Sequence, residues 1–302
     1  MRRFLAAMEL QYEVVDVFTE RPLEGNALAV FPDARGLSDE LMQRIAREMN
    51  LSETTFVLPT ALPEAAARVR IFTPWSEMVF AGHPTLGTAF VVRERGIVAR
   101  DAAAFVLEEK VGPVKVRVDG AERPMIWLET PPIARGATFE RALCAQALGL
   151  AEDALLENVP SQRLSAGNPA IFIALKNAAA VDAVKIDSAA LRRLTASLNE
   201  PTCVFAFAPV PAGAYSRMFA EELGIAEDPA TGSATGPLAA FMMEHGLAGT
   251  ADGTRFVSEQ GTKIGRRSLL HVLVHGENGR DGIEVGGHVT PLTTATMRLP
   301  AR

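Results

Sequence analysis

The sequence predicts a protein of two similar domains, each mixing strands with helices. Three observations predict it. The chain has 302 residues, 48% of them hydrophobic, enough for two cores at about 100–200 residues per domain. Short runs of β-formers bounded by Gly and Pro alternate with helical patterns in both halves. Two glycine-led segments, Gly82-His83-Pro84-Thr85-Leu86-Gly87-Thr88-Ala89-Phe90 and Gly232-Ser233-Ala234-Thr235-Gly236-Pro237-Leu238-Ala239-Ala240, match without gaps at Gly, Thr and Ala, and each enters a helix.

In chain order, YEVVDVF (12–18) and LAVF (28–31) read as an opening hairpin around the Pro- and Gly-bearing ERPLEGN. Ser38 is an N-cap for a helix with Leu41, Met42, Ile45 and Met49 at helical spacing, ending near Asn50. TTFVL (54–58) and RVRIFT (68–73) are strands. A second helix runs from 83 to about 95, with Pro84 in its first turn, where a missing N–H matters least. Residues 104–110, 114–118 and 124–130 are further strands, and PPIARG (131–136), with paired prolines and no apolar period, is the expected linker. FIAL, TCVFAF and SRMFA are strands of the second half, before the helix that follows EDPATGSATG. RFVSEQG, LLHVLVH, GIEVGG and TPLTTATMRL make the last quarter strand-rich.

The repeat extends upstream. EGNALAVF pairs with AGNPAIFIAL, setting Gly25-Asn26 against Gly167-Asn168, and the spacing to the glycine motif is 57 residues in one half and 65 in the other. Shared order and similar spacing point to a duplicated protein with a pocket where the halves meet. The expected domains are 8–130 and 136–288, with a terminal strand near 289–300 as a candidate addition to the first.

The formal charge of −6 is spread along the chain, without runs of Lys/Arg interleaved with aromatics, so a nucleic-acid partner is not expected. Two cysteines, Cys144 and Cys203, make no disulfide framework and no metal spacing, which fits a reducing cytoplasm. The five histidines show no metal-ligand spacing either: His271 and His275 alternate along a strand, His245 precedes a helix-ending Gly, and His288 follows paired glycines in a turn. The opening MRRFLAAMEL is interrupted by Glu9 before a signal-peptide core forms; it reads as a disordered leader or a misplaced start, with Met8 as the alternative start. No stretch approaches about 18 apolar residues, so no membrane span is expected.

Both glycine motifs present free N–H groups at the positive end of a helix dipole, which is an anion site. For Gly232-Ser233 the plainer reading is a Thr/Ser cap with a glycine turn, and for Gly82-His83 a solvent-facing first turn. Asp228, four residues before Gly232, forms an Asx-turn or orients a substrate amine or hydroxyl. Glu53, in LSETTFV between Leu51 and Phe56, either fills a helix-to-strand turn or is a carboxyl whose pKa apolar neighbours raise toward proton-transfer work. Glu48 is a solvated face residue.

PLEGNALAVF, MQRIAREMNLSETTFV, RIFTP, FAGHPTLGTA, SRMFAEELGIAEDPATGSATGPLAA and the QG-x-x-x-GRRS segment together resemble the PhzF family of phenazine-biosynthesis-like proteins, from about Tyr12 to the C-terminus. The resemblance implies an α+β, diaminopimelate-epimerase-like fold: two pseudo-symmetric domains, each a curved mixed sheet wrapped around a central helix. It implies a cofactor-free site for a small carboxylic acid and a homodimer. Glu53 matches the family's proton-transferring glutamate, His83 and Asp228 its polar cleft residues, and Gly82-His83 and Gly232-Ser233 the segments whose amides hold the substrate carboxylate. Met78-Val79 stand where Leu-Pro is usual, Glu221 where Pro is common, and Ala170 where a bulkier residue is frequent.

The expected activity is therefore that of a cofactor-independent isomerase in which Glu53 moves a proton while the helix ends stabilise an enediolate-like charge. One alternative is a racemase or epimerase of the same fold, which needs two opposed thiols; Cys144 and Cys203 instead read as core residues. The other is a non-catalytic carboxylate binder, for which Glu53 beside the anion has no use.

Overall fold

The computed structural model describes residues 8–120 and 122–299, so the leader expected before Met8 lies outside the described residues. Two compact units divide the chain, one of Met1–Leu23, Ala27–Leu128 and His288–Arg302, the other of Glu24–Asn26 and Glu129–Gly287. Among the described residues no helix is long and apolar enough to cross a membrane.

The first unit starts with β1 (Met8–Val17) and β2 (Asn26–Phe31), which pair. Helix α1 (Asp39–Met49) follows. The Ser38 side chain accepts from Leu41 N at its start, Asp39 and Glu40 complement its dipole, and Asn50 ends it in the left-handed region at φ 52°. Strand β3 (Glu53–Leu58) runs parallel to β2 with Leu28 opposite Glu53, and antiparallel to β4 (Ala67–Phe72) with Thr54 opposite Phe72. The short β5 (Glu77–Met78) places Met78 opposite Ile71. Then come α2 (Gly82–Glu94), β6 (Ala104–Glu109) parallel to β4, β7 (Gly112–Asp119) and β8 (Met125–Glu129), the last two in an antiparallel meander.

Helix α2 is buried on every face from Gly82 to Arg93, because its residues are small or apolar all round. Gly87 lets strands approach it: a Cβ there would lie 2.6 Å from Leu28 Cδ2. On the opposite face of the strands Tyr12, Phe31 and Phe56 stack, centroids 5.1–5.2 Å apart, and Phe72 meets Phe56 edge-on at 5.5 Å, under α1. Each fully buried ring of this kind contributes about 1.5–3 kcal/mol.

The second unit contains β9 (Ala134–Phe139), α3 (Arg141–Ala147), β10 (Ser161–Ser165), β11 (Pro169–Ala174), α4 (Ala178–Ala183), α5 (Ser188–Thr195), β12 (Cys203–Val210), β13 (Gly213–Ala220), β14 (Ile225–Asp228), α6 (Gly232–Glu244), β15 (Arg255–Gln260), β16 (Ser268–His275) and the start of β17 (Gly282–Leu299), whose residues from His288 onward belong to the first unit. β11 runs parallel to β12, β12 antiparallel to β13, β13 parallel to β15, and β15, β16 and β17 form an antiparallel meander. Helix α6 is buried from Gly232 to Met243 and packs with Phe172, Phe205 and Phe207. A separate cluster under α3, α4 and α5 contains Cys144.

Two expectations need correction. The linker PPIARG ends inside β9, which starts at Ala134 and pairs antiparallel with β10. Its largely exposed side chains leave no apolar alternation to read, and backbone pairing alone makes it a strand. His288 is not in a turn. It lies within β17, which runs unbroken through Gly286-Gly287: Gly286 is opposite His271 of β16, and from Val289 onward the strand is opposite β1. Paired glycines signal a turn only when no neighbouring strand holds them extended.

Candidate active site

In the first unit, three chain segments bring Glu53, Gly82 and His83 together. Glu53 opens β3, placed by its register opposite Leu28. His83 sits in the first turn of α2. The hydroxyls of Thr55 and Thr88 are 2.8 Å apart in the core and tie β3 to α2. The result sets His83 Nε2 3.2 Å from Glu53 Oε2, with the residues 4% and 8% exposed.

Burial decides the protonation of His83. Removal from water pushes the His83 imidazole down to about 3, so it is neutral over the physiological range. A neutral imidazole beside the Glu53 carboxyl group can position it without placing a cation in the buried site. No side chain caps α2: Ala81, its N-cap, has none to offer. The first turn of α2, with Gly82 and His83, thus receives no side-chain cap from its N-cap residue and lies beside the Glu53–His83 contact.

In the second unit Asp228, the candidate Asx-turn residue, ends β14 opposite Met218. It is 5% exposed. Its Oδ1 accepts from Asn26 Nδ2 at 2.9 Å and its Oδ2 from the Thr231 hydroxyl at 2.6 Å. Burial pushes its pKa up to about 6, against the lowering effect of the Thr231 and Asn26 hydrogen bonds. Gln260 completes the frame, donating to Asp228 O at 2.7 Å and accepting from Thr231 N at 3.2 Å. Gly261 follows at φ 75°, and a Cβ there would meet Pro229 O at 2.6 Å, so the Gln260-Gly261 pair shapes the EDPATG segment.

Gly232 and Ser233 open α6. Thr231, its N-cap, makes no side-chain cap bond, because its hydroxyl is directed to Asp228. The plain cap reading of this stretch is therefore incorrect, and the first-turn amides lack a capping side chain. Ser233 Oγ accepts from Asn168 Nδ2 at 3.3 Å. Arg217 clamps the strand before the turn through a two-pronged ion pair with Glu227, at 3.0 and 2.7 Å.

Sequence reasoning missed Asn26, Thr231 and Gln260 as parts of this frame. A signal for Asn26 existed in the repeated Gly-Asn pairs, and one for Gln260 in the QG segment; Thr231 looked like a cap. Both cysteines are buried thiols outside any disulfide, Cys144 in α3 and Cys203 at the start of β12, and burial pushes the Cys144 thiol up. Among the described residues no group of three or more His, Cys, Asp and Glu side chains could hold a metal ion.

The model of the family described as phenazine biosynthesis-like protein, PhzC-PhzF, matches residues 15–295. The chain belongs to the PhzF family. It is 37% identical to the trans-2,3-dihydro-3-hydroxyanthranilate isomerase of Pseudomonas aeruginosa, over 92% of this chain and 95% of the relative. Among solved structures it resembles the PhzF-family phenazine biosynthesis protein of Bacillus anthracis, with a TM-score of 0.86, 25% identity and coverage of 96% and 99%. A hydroxyproline epimerase from Agrobacterium vitis shares the fold at a TM-score of 0.66 and 13% identity, over 97% of this chain and 93% of that one. The fold is accordingly the α+β, diaminopimelate-epimerase-like one, and this PhzF-family chain is an isomerase.

Proposed function

We propose that this isomerase moves a proton on a small carboxylic acid without a cofactor, with Glu53 as the acid/base. The observation that carries the reading is the buried contact of Glu53 with a neutral His83 at an uncapped helix N-terminus. Ionised Glu53 takes a proton from a carbon of the substrate, the electron pair spreads into the neighbouring carboxylate as an enediolate-like anion, and Glu53 returns the proton at a different carbon. His83 orients Glu53. The amides of Gly82-His83 and Gly232-Ser233 bind carboxylate charge, each preorganised donor contributing about 3–4 kcal/mol to the lowering of the barrier. Asp228, fixed by Asn26 and Thr231, orients a substrate hydroxyl or amine.

The first substrate to test is trans-2,3-dihydro-3-hydroxyanthranilate, after the similar Pseudomonas aeruginosa enzyme, followed by other small hydroxy and amino acids. Incorporation of deuterium from heavy water into a carbon-bound position, read by NMR, is the expected result. Glu53→Gln exchanging at the wild-type rate would overturn the assignment.

A further inference from the structure

Glu109, the last residue of β6, has no part in the chemistry above, yet its carboxyl group is buried at 4% exposure. Its Oε1 lies 2.6 Å from the Thr85 hydroxyl in the first turn of α2, and that hydroxyl lies 2.7 Å from Ala81 O, at the N-cap. Two oxygen–oxygen contacts of this length need a proton each, and a threonine hydroxyl carries one. If Glu109 is ionised, Thr85 satisfies either the carboxylate or Ala81 O, not both. If Glu109 is a neutral acid, it donates to Thr85 and Thr85 donates to Ala81 O. The remaining carboxyl oxygen, Oε2, is buried with no hydrogen-bond partner among the described residues, a position that tolerates a carbonyl far better than half of a carboxylate.

The second unit offers an independent check. Arg68 is opposite Glu108 on β6, and Tyr215 is opposite Glu259 on β15. The β3–β4 and β12–β13 registers make Phe72 the counterpart of Phe219, hence Arg68 that of Tyr215 and Glu109 that of Gln260. Gln260 is the neutral amide that braces the segment entering α6. A protonated glutamate is the nearest isostere of glutamine. Burial first, opposed by the Thr85 contact, sets the Glu109 pKa, which rises to about 8. The charged side chains of the surrounding elements are engaged elsewhere: Arg68 of β4 lies 3.9 Å from Glu108, Lys110 faces Glu77, and neutral His83 of α2 faces Glu53.

We propose that Glu109 is a positioning residue held as a neutral carboxylic acid, whose proton, relayed through Thr85 to Ala81, fixes the α2 N-terminus and the Gly82-His83 segment. Its ionisation withdraws the Thr85 hydroxyl from Ala81 O and loosens that turn. The proposal rests on the functional reading only in giving Gly82-His83 work to do. Its test is therefore independent of any substrate. The unfolding constant of the wild type relative to Glu109→Gln is expected to rise up to tenfold per pH unit between about 4.5 and 8 and to stay level above. A role in packing alone gives a ratio that does not vary with pH, and that result would overturn the proposal. Infrared difference spectra at pH 7 supply a second measurement: a buried carboxylic-acid carbonyl band present in wild type and missing in Glu109→Gln supports the proposal, and its absence from wild type overturns it. Should the variant not fold, loss of that band from the wild type alone between pH 7 and 9 is the expected result, and a spectrum unchanged over that range the contrary one. With an active substrate, the kcat profile is expected to fall near pH 8 in wild type and to lose that limb in Glu109→Gln.

Discussion

The two units share a frame and differ in their chemistry. Each has a parallel strand pair, an antiparallel partner, a second parallel pair and an antiparallel meander around a buried helix, β2 to β8 in one and β11 to β17 in the other. The matching extends to a side-chain device. Arg70 lies over Phe72 and pairs with Glu77, and its register counterpart Arg217 lies over Phe219 and pairs with Glu227. The positions beside the helix N-termini diverge. Glu53 in one unit answers to Cys203 in the other, Met78 to Asp228, His83 to Ser233, and Glu109 to Gln260. Duplication has kept what braces the strands and changed what faces the helix ends. The carboxyl groups beside the two helix starts, Glu53 and Glu109 in one unit and Asp228 in the other, therefore come from different register positions rather than being copies of one reactive group.

The sharpest way to break that comparison is to treat counterparts alike. Glu53→Gln is expected to lower proton exchange about 10²–10⁴-fold, whereas Cys203→Ser, at the same register position of the other unit, leaves it near wild type. Equal losses from the two, measured by deuterium uptake, would mean the units are chemically equivalent.

The shared ion pair predicts unequal stability effects. Arg217→Met removes both Glu227 contacts and the guanidinium donation to Val181 O and Val184 O, leaving a buried carboxylate; about 3–5 kcal/mol is expected in urea unfolding. Arg70→Met should lose less, because its second partner, Asp39, is 82% exposed. The reverse order would show that α4 is not anchored through Arg217.

The duplicated asparagines rank the same way. Asn26→Ala strips the Asp228 Oδ1 and Ala230 O of a buried donor and should destabilise by about 1–3 kcal/mol. Asn168→Ala removes one partly buried 3.3 Å contact to Ser233 and should sit at or below the lower end of that range. Comparable chemical-denaturation midpoints would overturn the view that Asn26 has become the brace of Asp228.

Acid titration separates His83 from Asp228 by sign. His83 is lowered from 6.5 to about 3, so its contribution to stability is present above pH 6.5 and lost as pH falls toward 3. Asp228 is raised from 3.8 to about 6, so its contribution is present below pH 3.8 and lost as pH rises to 6. Between pH 4 and 6 the two oppose each other, each by at most about 1.4 kcal/mol per pH unit. Relative to wild type, His83→Gln should lose stability with rising pH across this window, and Asp228→Asn should gain it. Parallel curves for all three proteins would remove both assignments.

Much of this molecule was legible in its sequence. The Ser38 cap, the Asn50 stop, the helix entries at Gly82 and Gly232 and strands such as β2, β3, β4, β15 and β16 follow from local periodicity and turn chemistry, and they stand at or within a residue or two of their observed limits. The duplication, too, could be read from two Gly-Asn pairs and two glycine-led helices. What local pattern missed was pairing without apolar alternation, as in β9, and extension through two glycines, as in β17, because in both a neighbouring strand supplies the restraint.

The site divides along the same line. Sequence by itself placed Glu53 where a helix gives way to a strand and His83 and the two glycine turns at helix starts, and it singled out Asp228 without its place at the end of β14. Only the tertiary structure decided the proton affinities of His83 and Asp228, because desolvation and hydrogen bonding come from residues distant in the chain: Asn26 reaches Asp228 from 202 positions away. Glu109 is the extreme case. In the sequence it is the second of two glutamates at a strand end, and only the strand register and the packing of Thr85 against it make it a buried acid.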